Sequence, residues 1–160
     1  MNFSGIIRYI CGHRTIIVVV LCLFELCLVS RSIAGTGKKA DEKVYLVHAD
    51  ELRYDQYGPV PDAQIVKGRV HFTHKGSSLW CDSAYFYQQS NSVKAFGHVR
   101  YVQGKDVSLK ADRAAYDGIR QLLEARNNVV LTHGNKTLYT DSLDYDRFND
   151  YAYFFEGGRL

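Results

Sequence analysis

Cysteine is scarce where it would matter. Of four in 160 residues, Cys11, Cys22 and Cys27 fall in the apolar amino-terminal stretch, and Cys81 stands alone beyond it. No intramolecular bridge can form in that part, so its stability comes from packing. Neither Cys22 nor Cys27 follows the small residues of a lipoprotein cleavage box, which argues against a lipid anchor. A long hydrophobic run is missing too. The run from Ile16 to Val29 has 14 residues and contains Glu25, whereas crossing a bilayer takes roughly 20 apolar residues. Arg8, His13 and Arg14 precede it and Ser32-Ile33-Ala34 follow. Residues 1–34 therefore read as a hydrophobic helix serving as a secretory signal peptide cleaved after Ala34, with an uncleaved inner-membrane anchor as the competing reading. An excess of one charge is the third absence. Without residues 1–34, Lys+Arg falls from 20 to 17 and Asp+Glu from 17 to 16, a net charge of about +1. No basic stripe with interleaved aromatics exists, so nucleic acid is excluded as a partner. No phosphate-binding loop occurs, and helical spacing is nowhere sustained.

What is present is repetition. An eight-residue phrase recurs as HADELRYD from His48, WCDSAYFY from Trp80, KADRAAYD from Lys110 and YTDSLDYD from Tyr139. Its third residue is always aspartate: Asp50, Asp82, Asp112 and Asp141, separated by 32, 30 and 29 residues. A fixed period of this length marks stacked copies of one supersecondary unit. Polar residues 35–43 read as a flexible tether. From Val44 to Leu160 the apolar residues follow the period of two of half-buried strands.

Each unit divides into three short strands in this reading. The first opens at Gly68, Gly97 or Asn127, the second carries the aspartate phrase, and the third is Val93/Ala95, Leu123/Ala125 or Tyr153/Phe155. Within the second strand the apolar parity flips. Leu79 and Cys81 precede Asp82 by odd steps, while Ala84 and Phe86 follow it by even ones. Two inward sets out of phase require a bulge or corner between them. The four aspartates are accordingly structural corners, with carboxylates expected to accept backbone N–H groups left unpaired there. The expected fold is all-β: a repeat-built jelly roll or stacked β coil of about four thirty-residue units, with reversals at Gly76-Ser77, Ser90-Asn91, Gly104-Lys105, Asp117-Gly118 and Gly134-Asn135.

The phrases KADRAAYDG and TDSLDYDR, each after a strand of the form G/N-x-V-x-apolar, resemble the OstA-like (organic solvent tolerance) N-terminal domain of the periplasmic lipopolysaccharide-transport family. DAQIVKGRVHFTHKG and CDSAYFYQQSNSVKAFGHV resemble its Bacteroides-type versions. The resemblance covers about Val44 to Leu160. It implies a β-jelly roll that carries lipopolysaccharide in an apolar groove, pairs end to end with similar proteins, and lies in the periplasm or against the outer membrane. The chain stops at Gly157-Gly158-Arg159-Leu160, where another unit would open, so the domain is expected to be a shortened version.

If the coil is open along one side, the inward residues form the ligand surface: Val70, Phe72, Leu79, Ala84, Phe86, Val93, Val99, Tyr101, Leu109, Ala114, Tyr116 and Leu123. Acyl chains suit such a trough, since ten buried methylenes amount to about 8 kcal/mol without any polar contact. Plain core packing is the other reading of the same residues. No metal, cofactor or catalytic role is assigned. His71 and His74 point to opposite faces of a strand, and His74 and His133 lie two layers apart, so all three read as solvated strand histidines. Asp144, Asp146 and Asn149 lack the glycine and closing glutamate of a calcium loop. Cys81 occupies a position filled elsewhere by Ala49, Ala111 and Thr140, a small inward residue. Tyr85, Phe86, Tyr87, Tyr151, Tyr153, Phe154 and Phe155 are too many for the interior, so some pair across strands or stand exposed. Two alternatives remain beside lipid carriage: a strand-edge scaffold for protein partners of the outer-membrane assembly machinery, and an inner-membrane-anchored jelly roll that receives lipid.

Overall fold

The computed structural model describes residues 42–160; the signal or anchor helix of residues 1–34 and tether residues 35–41 lie outside the described residues. Nine strands form one antiparallel sheet: β1 Tyr45–His48, β2 Glu51–Tyr54, β3 Gln64–His74, β4 Ser77–Tyr87, β5 Ser92–Gln103, β6 Val107–Asp117, β7 Leu122–His133, β8 Lys136–Asp146 and β9 Tyr151–Arg159. The order is β1-β3-β4-β5-β6-β7-β8-β9, with β2 also pairing β3. The all-β expectation holds. The division into three short strands per unit does not: each unit is a hairpin of two long, bent strands. The expected third strand of one unit (Val93, Ala95) and first strand of the next (Gly97, Val99, Tyr101) are two halves of β5.

Pairing with the same neighbours resumes beyond each glycine or asparagine, which is why one strand reads as two. Gly97 and His98 have φ of 74° and 43°, and the pair sits opposite the single residue Asp112, between Phe96↔Arg113 and Val99↔Ala111. Gly68-Arg69 opposite Asp82 and Asn127-Asn128 opposite Asp141 repeat this two-against-one bulge. Two consecutive left-handed residues turn the strand sharply. They also preserve its parity, so Ala95 and Val99 both point inward, whereas β4, β6 and β8 flip theirs at the aspartate.

Aligned across the sheet, the bulges fold it into two half-sheets that face each other. Phe72 in one half meets Phe86 in the other with ring centroids 5.2 Å apart, and Tyr101 meets Tyr116 at 6.2 Å and Tyr145 at 6.3 Å. The space between them is one continuous apolar core from Val44 to Tyr145. β1 and β2 pair with the two ends of the same strand, β3, and so continue different half-sheets. They act as one strand broken at Asp50.

The corner carboxylates are held by side chains, a correction to the backbone N–H acceptors expected. Arg69 Nε donates to Asp50 at 3.1 Å, His98 Nδ1 lies 2.7 Å from Asp82, and Asn128 Nδ2 donates to Asp112 at 2.7 Å. In each case the partner is the second left-handed residue on the neighbouring strand. At the fourth corner the Thr140 hydroxyl donates to the Gly157 carbonyl at 2.8 Å. The Arg69 guanidinium holds the Asp50 carboxyl below its usual range, and Asp82 raises the His98 imidazole above its own. A raised histidine favours the folded state below the ordinary histidine range, and that contribution fades as pH climbs through the raised value. Asp82→Asn is expected to move the His98 midpoint back down toward an ordinary histidine in an NMR titration. An unchanged midpoint would show that the pair does not form in solution.

Candidate functional site

All twelve inward positions singled out in the sequence are buried in the one core. Their cross-strand order is continuous. Phe72↔Leu79↔Tyr101↔Leu109↔Leu131↔Leu138 runs across one half-sheet, and Phe86↔Val93↔Tyr116↔Leu123↔Tyr145 across the other. Leu143, Tyr145 and Leu131, which the repeat also sets at inward places but which were not among the twelve, are buried in the same core and occupy the places of Ala114, Tyr116 and Tyr101 one unit later.

The interior is closed over most of its length. The gap left among Phe72, Leu79, Val93, Tyr101 and Tyr116 measures about 10 Å³. It opens at the end where β1 and β2 part company. There a mouth of about 510 Å³ is lined by Lys43, Val44, Tyr45, Leu46, Leu52, Gln64, Phe86, Gln88 and Asn91. The wedge has a simple cause: the first unit supplies two short strands bound to opposite ends of β3, and among the described residues none fills the angle between them.

Along the side opposite the bulges, the tips of the half-sheets meet in a polar seam. His74 is 3 % exposed, not solvated as expected, because its ring bridges the halves. A carbonyl can only accept, so Nε2–H donates to Glu42 O at 3.2 Å, and Nδ1 accepts the Tyr116 hydroxyl at 2.7 Å. Asn91 clasps the amino-terminal segment, its Oδ1 accepting Val44 N–H at 2.7 Å and its Nδ2 donating to Glu42 O at 3.2 Å. Farther along, Tyr101 and Tyr145 approach Gln103 Oε1, Tyr145 donates to Asp150 at 2.7 Å, and Arg147 donates to the Lys75 carbonyl. Burial pushes the Tyr101 hydroxyl up to about 12, so these phenols remain neutral donors.

The residues weighed for chemistry stay apart. Burial pushes the Cys81 thiol up to about 12; it lies inward, in the small-residue place the repeat assigns it. His71 faces out, stacked on Trp80 at 4.7 Å, with Arg100 over the same indole at 5.1 Å. His133 is paired with Asp150 at 3.7 Å. Asp146 caps its own turn through Phe148 N, Asn149 N and Asn149 Nδ2. Among the described residues no three His, Cys, Asp or Glu side chains group so as to hold a metal ion. The aromatic surplus resolves both ways. Tyr85 packs on Phe96 at 5.1 Å, while Tyr151, Tyr153, Phe154 and Phe155 are exposed on β9, which among the described residues has no partner on its far side.

Among solved structures the fold is similar to one described as LptH, the LptA homologous periplasmic component of the conserved lipopolysaccharide transport device from Pseudomonas aeruginosa. The TM-score is 0.63 over 73 % of this chain and 85 % of that one, at 16 % identity. That likeness is one of fold. No curated protein matches the sequence. The family model described as "OstA-like protein" matches residues 41–160, the whole folded sheet, and the chain belongs to that family.

Proposed function

We propose that the protein is a periplasmic carrier that takes the acyl chains of lipopolysaccharide, or a related glycolipid, between its two half-sheets and passes them toward the outer membrane without catalysing a reaction. The observation that carries this reading is the unbroken apolar inner face, which runs from the mouth at Leu46, Leu52 and Phe86 to the exposed end at Phe154. Family membership and the likeness to a periplasmic transport component support it. A chain entering at the mouth gains about 0.8 kcal/mol per buried methylene. Behind the mouth it displaces contacts already made, so the half-sheets separate as it advances. The bonds that resist separation are the seam contacts, each worth about 1 kcal/mol net.

The experiment is photocrosslinking. A photoreactive residue at Phe86 or Leu109 is expected to label with lipopolysaccharide, and one at Lys110, which faces out beside Leu109, is not. Labelling confined to outward positions would reject the interior as the carrier. A second reading, pairing through strand edges, is favoured by β9. Its unpaired edge and four exposed aromatics suit addition of a strand from another jelly roll. The interior of one copy would then run on into the next.

A further inference from the structure

The repeat that builds the sheet also builds one row of turns, and these carry something the sheet does not need. The last residue of three of the four phrases is an aspartate at a strand end. Asp55 accepts Tyr57 N–H at 3.1 Å. Asp117 accepts Ile119 and Arg120 N–H, each at 2.9 Å. Asp146 accepts Phe148 N–H at 2.9 Å and Asn149 N–H at 3.0 Å. This capped turn calls for a side-chain acceptor such as aspartate at its first position. It places no demand on the residue two positions later, yet that residue is Tyr57, Ile119 and Phe148, at 90, 72 and 75 % exposure. The fourth phrase ends in Tyr87 and offers Gln89 instead.

All these turns lie on one lip of the seam, the tips of the half-sheet to which β2 belongs. The facing lip is made of the β3–β4, β5–β6 and β7–β8 turns, and is different in kind: it carries Lys75, Lys105 and Lys136 with Gly76, Gly104 and Gly134, against a single carboxylate, Asp106. The apolar lip is also braced. Gly118 N–H donates to Asn91 O at 2.9 Å, Arg147 N–H to Gln121 O at 3.0 Å, and Arg147 Nη1 to Gln121 Oε1 at 3.1 Å. The apolar tips are therefore held out in water on fixed supports.

We propose that this long side docks on a lipid bilayer, with Tyr57, Ile119 and Phe148 entering the headgroup boundary and the lysines of the facing lip resting on anionic headgroups. Successive hairpin tips are about 10 Å apart, two strand spacings. Apolar points so separated, with polar turn residues between them, make no continuous patch for a folded protein. A fluid interface accepts each one separately, and it favours aromatic and aliphatic tips flanked by cations. Lys43 lies at this lip too, sharing a surface hollow with Glu42, Gln88, Asn91 and Ile119, which sets a cation beside one of the apolar tips. Docking in this pose would set the seam against the membrane whatever the interior carries.

The test uses vesicles of phosphatidylethanolamine and phosphatidylglycerol without lipopolysaccharide, so that it stands apart from the carrier reading. Phe148→Trp is added to the full exported chain, and its emission is taken as the difference from the parent, whose single Trp80 lies on the other half-sheet. Vesicles are expected to shift the added emission to the blue and expose it to quenching by brominated lipid. The combined Tyr57→Ser, Ile119→Ser and Phe148→Ser variant is expected to keep its melting temperature and lose most of its vesicle-bound fraction. An indole at 148 that vesicles neither shift nor quench would overturn the proposal, as would a serine variant that binds as well as the parent. A blue shift produced only by a protein partner would overturn it also and assign the lip to that partner.

Discussion

Replacing Leu109 by aspartate is expected to abolish the folded state at neutral pH. Leu109 is fully buried, paired on one side with Tyr101 and on the other with Leu131. The core around it is built of apolar side chains, with the phenols and His74 engaged at its margin. A carboxylate there would have no cationic partner, and losing the leucine packing adds to the loss. Together these cost about 5 kcal/mol or more, comparable to the whole stability of an ordinary domain, about 5–15 kcal/mol. Far-UV circular dichroism during thermal and urea unfolding should show no cooperative transition at neutral pH. The sign of the pH dependence follows from burial, which raises the carboxyl's folded value. The variant is therefore most nearly folded near pH ~4, where the acid is uncharged, and weakens as pH rises. The neighbouring Lys110→Asp points the other way in the strand and is expected to change stability by no more than about 0.5 kcal/mol. A Leu109→Asp protein that melts like its parent would mean that the two faces of β6 have been exchanged.

That contrast between adjacent residues was legible in the sequence, because strand side chains alternate and the aspartate phrase repeats in register. From Leu79 to Leu123 the inward positions follow from parity alone. The parity flip at Asp82, Asp112 and Asp141 also announced a corner. Hidden from sequence was how the strands on either side of that corner connect. A Gly97-His98 or Asn127-Asn128 pair looks like the start of a strand, since glycine and asparagine break local preference. Only pairing with two neighbours shows that the ladder resumes and that one long strand has been bent.

The mouth and the seam were illegible for a related reason: both are made by contacts far apart along the chain. Val44 meets Asn91, and His74 meets Tyr116, 47 and 42 residues away respectively. His74 sits at a strand end, where alternation says which face it takes but not whether the other half-sheet comes down upon it. It does, and a histidine that reads as solvated becomes a buried bridge. The tips were half-legible. Their aspartates belong to the repeat, but that Tyr57, Ile119 and Phe148 share one lip depends on the fold.

Gly97→Ala should produce the second-largest loss, and it tests the corner itself. Gly97 has φ +74°, and a Cβ built there would lie 2.3 Å from Asp82 Oδ2 and 3.0 Å from its Cγ. Alanine in the left-handed region costs about 1 kcal/mol through the backbone alone. The carboxylate would have to swing away as well, giving up His98, for a total of about 2–3 kcal/mol and a fall of roughly 10 °C in melting temperature. Two comparisons isolate the contact. Gly104 also has positive φ, +59°, but nothing within 4 Å of its built Cβ, so Gly104→Ala should show only the backbone cost. In an Asp82→Ala background, Gly97→Ala should likewise shrink to about 1 kcal/mol, the difference being the coupling between the two positions. The same aspartate-over-glycine packing recurs at Asp50 and Gly68, also 2.3 Å from the built Cβ. The corner is thus a unit of two elements: a strand residue that must lack a side chain, and a carboxylate that fills the space and takes hold of the next residue. If Gly97→Ala and Gly104→Ala lower the melting temperature equally, the carboxylate does not pack over the glycine, and the bend in β5 must be held by backbone geometry alone.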